Sequence, residues 1–569
     1  MVLNDQMRGY QTVLRSVYLQ KKEKKTRKHR KNGYMRLSRN GMESKQIWRW
    51  AIGGVGRSMS TNNIHLIIHR KKKLDHSQKT PMGGGGGVRG ILLDSSAILS
   101  SDTLHTGADY LLRKLRYSNI PTGYCMRWIL RRRSLLEKLA HEYSLERFVY
   151  NPSCMDDTVN AVSLAWKNNG ATILHVVSND NEGLVPKSLN SDWINVVVNV
   201  DGDGTSKNLS GIVIEKLEEL PLTICELNRK CSEDNVVVGY IMKPSREEDF
   251  AKRGAFPLNP TENGLIFLPL TFDLPMLYQL KKVDIVIHKA TDEISSIERS
   301  NSCDHSGNII YTTRMLELQR YIGELPDCCV IDPFDNIFPV VDRLKVQEIL
   351  LGLANLKTES RHKIRGAYFL QVDNFEDVQF EQRLHEAKLS LPSIVKPQVA
   401  CGVAEAHSMA IVFKAVDFLG LSVPLPAVVQ EYVDHSSTLF KMYVLGEKVF
   451  YAVKNSTPNA DILKNSSEKN GSKPLLFDSL KSLPIDGSKM KEQPDLDIEL
   501  VTGAATYLRR VLDLTIFGFD VVIQEGTRDH VIVDVNYLPS FKEVPNEIVI
   551  PAFWDAIRMK YRLRKGVRV

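Results

Sequence analysis

The chain has 569 residues, 43% hydrophobic and 25% charged, an ordinary balance for a globular protein with room for roughly three or four domains. No stretch approaches ~18 uninterrupted apolar residues, which excludes an apolar membrane-spanning helix. The formal net charge of +8 is lopsided: residues 1–81 hold 20 Lys/Arg against 4 Asp/Glu, leaving 55 against 63, so the body has no global nucleic-acid signature.

Residues 1–87 read as a basic, disordered extension, because KKEKKTRKHRK and HRKKK come without hydrophobic periodicity. A nuclear-localisation or polyanion-binding patch, a transit peptide and a translation start at Met82 are three open readings of it. Val88–Leu99 reads as a buried strand ending in Asp94, followed by a helical pattern at Ala108–Arg116. A second such strand, Thr172–Ser178, ends in a hydroxyl. Residues 88–232 are therefore expected to form an α/β accessory domain. Asp at one strand end and Ser at a later one resembles the haloacid-dehalogenase fold. That chemistry needs a second Asp two residues after the first, where Ser96 stands here, so a degenerate domain without phosphatase activity is implied.

A new unit, 235–348, opens with VVVGYIMKPSREEDF, and Val283–Lys289 is a strand that delivers His288 and Lys289 to its end. From Cys329 the sequence predicts a strand, a turn and a helix carrying Arg343. The last unit, 349–569, begins with a charged linker and a strand, Leu391–Lys396. VACGVAEAHS and the apolar run MAIVF follow, then two strands around DHSS, the first closed by Gln430, Glu431 and Tyr432. The segment 455–495, rich in Ser, Asn, Lys and Pro, reads as a mobile loop, and a helix is expected from Ile498 to Leu512.

The stretch from Ile516 to Pro545 reads as a β-hairpin, with Phe519–Ile523 and His530–Val535 flanking EGTRD. It carries Asp520 on one strand and Asp534 and Asn536 on one face of the other. These could be surface acids on a half-exposed hairpin. They interrupt Val/Ile runs, however, where an unpaired charge is costly, which favours an oxygen-only ligand set suited to magnesium bridging phosphates. Lys396, at a strand end just before Gly402, suits a nucleotide phosphate, and Gln430, Glu431 and Tyr432 could offer backbone hydrogen bonds to an adenine. Each of these two features is also compatible with a plain strand end.

From Val236 onward the chain resembles the inositol 1,3,4-trisphosphate 5/6-kinase family, also called inositol-tetrakisphosphate 1-kinases, which adopt an ATP-grasp fold. VGY (238–240), VIHKATDE (286–293), IDPFDNI (331–337), DR (342–343), VKPQVACG with a later His (395–407), QEYVDHSSTLFKMYVLGE (430–447) and VDVNYLPS (533–540) carry the match in family order. Plant members with an extended N-terminal domain fit best. The resemblance implies an α/β protein in which an ATP-grasp kinase body follows the accessory domain. It implies 235–348 as the inositol-phosphate-binding part, and 349–569 as the ATP-grasp part. Arg343, Lys396, Gln430, Glu431, Tyr432 and Ser456 are implied to hold ATP; Arg246, Lys289, Gly402, His407, Lys441, Asn536 and Ser540, the inositol phosphate; Asp520, Asp534 and Asn536, Mg²⁺.

Departures from the family pattern are Ser540 where Gly is usual after NxxP, Cys401, the pair Lys454-Asn455, and Ser in the DHSS turn. They bear on which inositol phosphate is preferred more than on ATP use. A weakened inositol-phosphate-binding regulator and an ATP-grasp carboxylate–amine ligase are the alternatives. The ligase would need few substrate-side cations, so Lys289, His407 and Lys441 argue against it. A cytoplasmic monomer is expected, with a nuclear location through the basic extension as a second expectation. The eight cysteines lack paired metal spacing, and Cys328-Cys329 are adjacent, as in a protein with reduced thiols.

Overall fold

The computed structural model describes residues 64–67, 86–100, 103–127, 133–150, 155–166, 171–179, 192–199, 211–298, 308–469, 473–481 and 494–566. Most of the basic extension thus lies outside the described residues. One part does not: Ile64–Ile67 is a strand, antiparallel to Lys448–Asn455, where the sequence predicts no element. Four residues beside the basic run HRKKK are too few to give a strand signal in the sequence.

The first layer is a six-stranded parallel sheet in the order Glu146–Tyr150, Thr122–Arg127, Gly86–Asp94, Ala171–Ser178, Trp193–Val198, Ile212–Ile214. A parallel sheet is covered on both faces, which is why its strands read as runs such as GILL and NVVV rather than as alternation. The strand expected over Val88–Leu99 stops at Asp94. There the carboxylate accepts the Ser96 N–H (2.8 Å) and starts the short helix Ser95–Ile98.

A second parallel sheet runs Leu265–Pro269, Val236–Ile241, Ile285–His288, Cys329–Ile331. Buried Asn228 ties the first sheet to the loop ahead of Leu265–Pro269: its Oδ1 accepts the Val88 N–H (2.7 Å) and its Nδ2 donates to the Leu258 carbonyl (2.8 Å). Lys114 adds an ion pair to Glu247, which also accepts from the Tyr240 hydroxyl (3.2 Å).

Two further sheets form the last unit. One is antiparallel, in the order Phe369–Val372, Ala427–Glu431, Ser393–Pro397, Ser408–Val412, Leu475–Asp478. The other runs Ile64–Ile67, Lys448–Asn455, Thr438–Leu445, Ile516–Ile523, His530–Tyr537, Ile364–Gly366. The expected hairpin is its centre. The segment 455–495 is more structured than a loop, since it carries the helix Ala460–Lys469 and the strand Leu475–Asp478. Its polar composition hid both: Asp434, distant in sequence, caps the helix by accepting the Ala460 N–H (2.6 Å), and the strand draws its order from Ser408–Val412. Among the described residues no helix is long and apolar enough to cross a membrane.

Candidate active site

Between the last two sheets lies a cavity of about 1110 Å³, and every site residue expected from the sequence lines it: Arg246, Lys289, Arg343, Lys396, Gly402, His407, Gln430, Glu431, Tyr432, Lys441, Ser456, Asp520, Asp534, Asn536 and Ser540. These residues span almost 300 positions and several elements, so their convergence is a property of the fold alone.

One wall is acidic. Cross-strand register sets Lys441 opposite Asp520 and Asp520 opposite Asp534, a row across three strands. Lys441 Nζ is 3.7 Å from Asp520, and Asn536 Nδ2 donates to Asp534 (3.0 Å). Burial pushes the Asp520 carboxyl up to about 6; Lys441 opposes the shift and Asp534 adds to it. Two carboxylates facing each other across the ladder, with a carboxamide beside them, suit a hard divalent cation.

A bulge completes this wall. The ladder skips Val533 between the Asp520–Asp534 and Val521–Ile532 pairs. The Val533 carbonyl accepts Lys396 Nζ (3.1 Å) and the Gln430 amide (3.4 Å), so the bulge anchors the opposite sheet's Lys to the hairpin. The sequence carries no signal for this irregularity. Gly518 sits where the strands crowd: a Cβ there would stand 2.8 Å from the Met442 carbonyl oxygen.

The other wall is cationic. Lys289 is buried, donates to the Tyr537 carbonyl and lies 4.9 Å from the centre of that ring. Burial lowers the pKa of both Lys289 and Lys396 to about 8. Among the described residues carboxylates only partly offset their charge, so a polyanion entering the cavity would compensate what burial leaves on each. Arg246 is held by Asp292 (Nε to Oδ2, 3.1 Å). His407 Nδ1 lies 3.0 Å from Ser479 Oγ, on the approach to which the unforeseen strand Leu475–Asp478 leads. Lys243 and Lys542 also line the cavity and were not foreseen from sequence. Lys243 follows a parallel strand, and the carboxyl end of such strands is where α/β sheets bind ligands, a signal that could have found it.

Glu431 and Tyr432, at the end of the strand Ala427–Glu431, are engaged differently. Glu431 gives its side chain to Arg365 in a bidentate pair (2.7 and 2.9 Å), and its N–H to the Tyr368 carbonyl (2.9 Å). The Tyr432 N–H has no backbone partner among the described residues, and its hydroxyl donates to the Pro458 carbonyl (2.6 Å). Ser456 N–H donates to the Ser437 carbonyl (2.8 Å), holding the DHSS turn, where Ser436 and Ser437 both adopt left-handed φ (51° and 55°). Ser540 offers its carbonyl to Arg253.

Arg343 is occupied differently from the expectation. Its guanidinium donates to the carbonyls of Pro397 (2.6 Å), Val399 (2.8 Å) and Ala406 (3.2 Å), so it shapes the loop after Lys396. Asp342 caps the same helix (Leu344 N–H, 2.8 Å) and accepts from Gln398 (2.9 Å). Within that loop Gly402 has φ +89°, and a Cβ would meet Ile294 at 2.6 Å, so only glycine fits.

Comparison with known proteins accords with this geometry. The family described as "ITPK4, N-terminal HAD-like domain" matches residues 82–230, and "Inositol 1,3,4-trisphosphate 5/6-kinase ATP-grasp domain" matches 359–555. Inositol-tetrakisphosphate 1-kinase 6 of Oryza sativa is 46% identical over 490 residues, 84% of this chain and 88% of the relative. Inositol-tetrakisphosphate 1-kinase of Xenopus laevis is 28% identical, over 46% of this chain and 64% of its own length. For inositol-tetrakisphosphate 1-kinase 3 of Arabidopsis thaliana the values are 26%, 59% and 90%. With an α/β domain of haloacid-dehalogenase type ahead of an ATP-grasp body, and near-full-length similarity to the rice protein, the chain belongs to the inositol-tetrakisphosphate 1-kinase family.

Proposed function

We propose that this protein is an ATP-dependent inositol polyphosphate kinase that transfers the γ-phosphate of ATP to a hydroxyl of an inositol phosphate, with inositol 1,3,4-trisphosphate and inositol 3,4,5,6-tetrakisphosphate as the substrates to expect. The observation that carries this is the single cavity with carboxylates on one wall and under-compensated lysines on the other. An anion-rich acceptor and a polyphosphate donor both fit such a divided surface.

Phosphoryl transfer needs positioning and charge stabilisation more than covalent participation. Lys396, tied to the hairpin through the Val533 carbonyl, holds the donor's phosphates. The Tyr432 N–H, with Gln430 and Glu431, holds its base, and Ser456 lies beside the nucleotide. Lys289, Arg246, His407 and Lys441 bind the acceptor's phosphates and turn one hydroxyl toward the donor, with Gly402 and Ser540 supplying backbone close to the acceptor. Residues 235–348 thus serve the acceptor, and 349–569 serve the nucleotide and supply the remaining acceptor contacts. Asp520, Asp534 and Asn536 would hold Mg²⁺, which when bound neutralises charge on the phosphates. Arg343 acts as a positioning residue for the Pro397–Ala406 loop.

The deciding experiment incubates the purified chain with ATP, magnesium and a panel of inositol phosphates and resolves the products by chromatography. A product with one added phosphate supports the reading. ADP release without a phosphorylated inositol, or none at all from a folded protein, sinks it and favours a binding regulator.

A further inference from the structure

The parallel sheet of the N-terminal domain carries a row of polar side chains where most of its positions are Val, Ile or Leu. Asp94 pairs with Cys125 across the ladder, and His175 lies between Leu92 on one neighbouring strand and Asn195 on the other. Leu92 and Asp94 point to the same face, so Cys125, Asp94, His175 and Asn195 share it. Cys125 and His175 are buried and Asp94 is half-buried.

Cys125 Sγ is 3.6 Å from Asp94 Oδ2 and 4.0 Å from His175 Nε2, and one ligand atom from each residue lies within 4.8 Å of the others. The thiol thus makes a weak sulfur hydrogen bond to Asp94 and a longer contact to His175. The first separation matches, and the second slightly exceeds, the ~3.2–3.6 Å between ligand atoms that Zn–S and Zn–N/O bonds of ~2.3 and ~2.0 Å produce in a tetrahedron, so a small closing of the side chains completes the geometry.

The surroundings orient the three groups. His175 Nδ1 lies 3.3 Å from Asn195 Oδ1, an acceptor that places the ring proton on Nδ1 and the free lone pair on Nε2, facing Cys125 and Asp94. One Asp94 oxygen is engaged by the Ser96 N–H, which leaves Oδ2 toward the cluster. A thiolate, an imidazole and one carboxylate oxygen make a borderline-soft set, unlike the oxygen-only wall of the kinase cavity.

We propose that Asp94, Cys125 and His175 bind a zinc ion, leaving a fourth position for water, and that the ion ties together three strands of the N-terminal domain. Binding displaces one proton from the Cys125 thiol, and the imidazole enters neutral.

The test treats the purified full chain with chelator and titrates it with Co²⁺ as the zinc probe. One equivalent should produce a thiolate-to-cobalt charge-transfer band that Zn²⁺ then abolishes. The band should be lost in Cys125→Ser and kept in Cys401→Ser, whose thiol lies in the kinase cavity. Asn195→Leu should retain kinase turnover and weaken cobalt affinity by about 10–100-fold, the usual range for loss of a ligand's orienting partner. Absence of the band in folded wild-type protein, or its persistence in Cys125→Ser, overturns the proposal. Should Cys125→Ser fail to fold, His175→Gln decides: unchanged cobalt affinity overturns the site, and its loss supports it.

Discussion

Two sheets in this molecule each place an aspartate on a strand otherwise rich in Val, Ile and Leu, and they treat it in opposite ways. In the N-terminal domain half-buried Asp94 faces buried Cys125 and His175. In the kinase body Asp520 and Asp534 front an open cavity of about 1110 Å³ with lysines on its far side. The lesson is that a buried carboxylate acquires a role from what faces it. Beside a thiol and an imidazole it orders the strands of its own sheet, whereas across an open space from cations it can work on a bound polyanion.

The comparison would break most sharply at Asp534. Asp534→Asn keeps the shape and the hairpin's apolar residues, so the fold should survive. The kcat should drop roughly 10³-fold, since cation stabilisation of transition-state charge is worth several kcal/mol. Removing one of two facing carboxylates also lifts a repulsion that contributes to the raised pKa of Asp520, so the ligand-free protein should melt no lower than wild type. Near-normal turnover by well-folded Asp534→Asn would take the hairpin out of the active site.

The lysines assigned to the acceptor come next, one from each wall. Lys441→Ala and Lys289→Ala each remove a charged contact worth ~1.5–3 kcal/mol, so the KM for the inositol phosphate should rise roughly ten- to a hundredfold. The KM for ATP should hardly move. Lys289→Ala should also lower the melting temperature somewhat, because its ammonium bonds the Tyr537 carbonyl and covers that ring, which Lys441 does not. A rise in the ATP KM alone would assign these lysines to the other ligand.

Arg343 sharpens the contrast between touching a ligand and holding a loop. Arg343→Met strands the carbonyls of Pro397, Val399 and Ala406, at a cost of roughly 1–3 kcal/mol for a buried group left unpaired. Melting temperature and turnover should fall together, with the loop from Pro397 to Ala406 more open to protease. A raised ATP KM with unchanged stability would instead make Arg343 a direct phosphate ligand.

The hairpin was legible because a charge within a Val/Ile run contradicts its neighbours, and a local contradiction can be read locally. The cavity's membership was legible through ordered family motifs. The bulge at Val533 was not, because Val belongs in a strand whether the ladder is regular or not. Nor was the use of Arg343: the sequence shows a cation near a helix start, while the three carbonyls that occupy it come from a loop more than 50 residues away. The helix Ala460–Lys469 escaped because its cap, Asp434, lies in another turn. The row of Asp94, Cys125 and His175 escaped for a similar reason, since spacing rules look for ligands close in sequence and parallel strands bring theirs from far apart.

The smallest effect concerns the strand Ile64–Ile67, the only described part of the residues before Met82. It pairs with Val449–Ala452 at the outer edge of the kinase sheet, away from the hairpin at that sheet's centre. An edge strand of four residues contributes one ladder, and that ladder is to Lys448–Asn455 rather than to the hairpin. A chain beginning at Met82 should therefore keep its turnover and lose about 1 kcal/mol of stability at most, within the usual range for changes away from a core. Melting curves and product formation for the full and shortened chains measure both. If the shortened chain folds and yet loses most of its turnover, the segment before Met82 reaches the active site, and the division between a catalytic body and a dispensable extension falls.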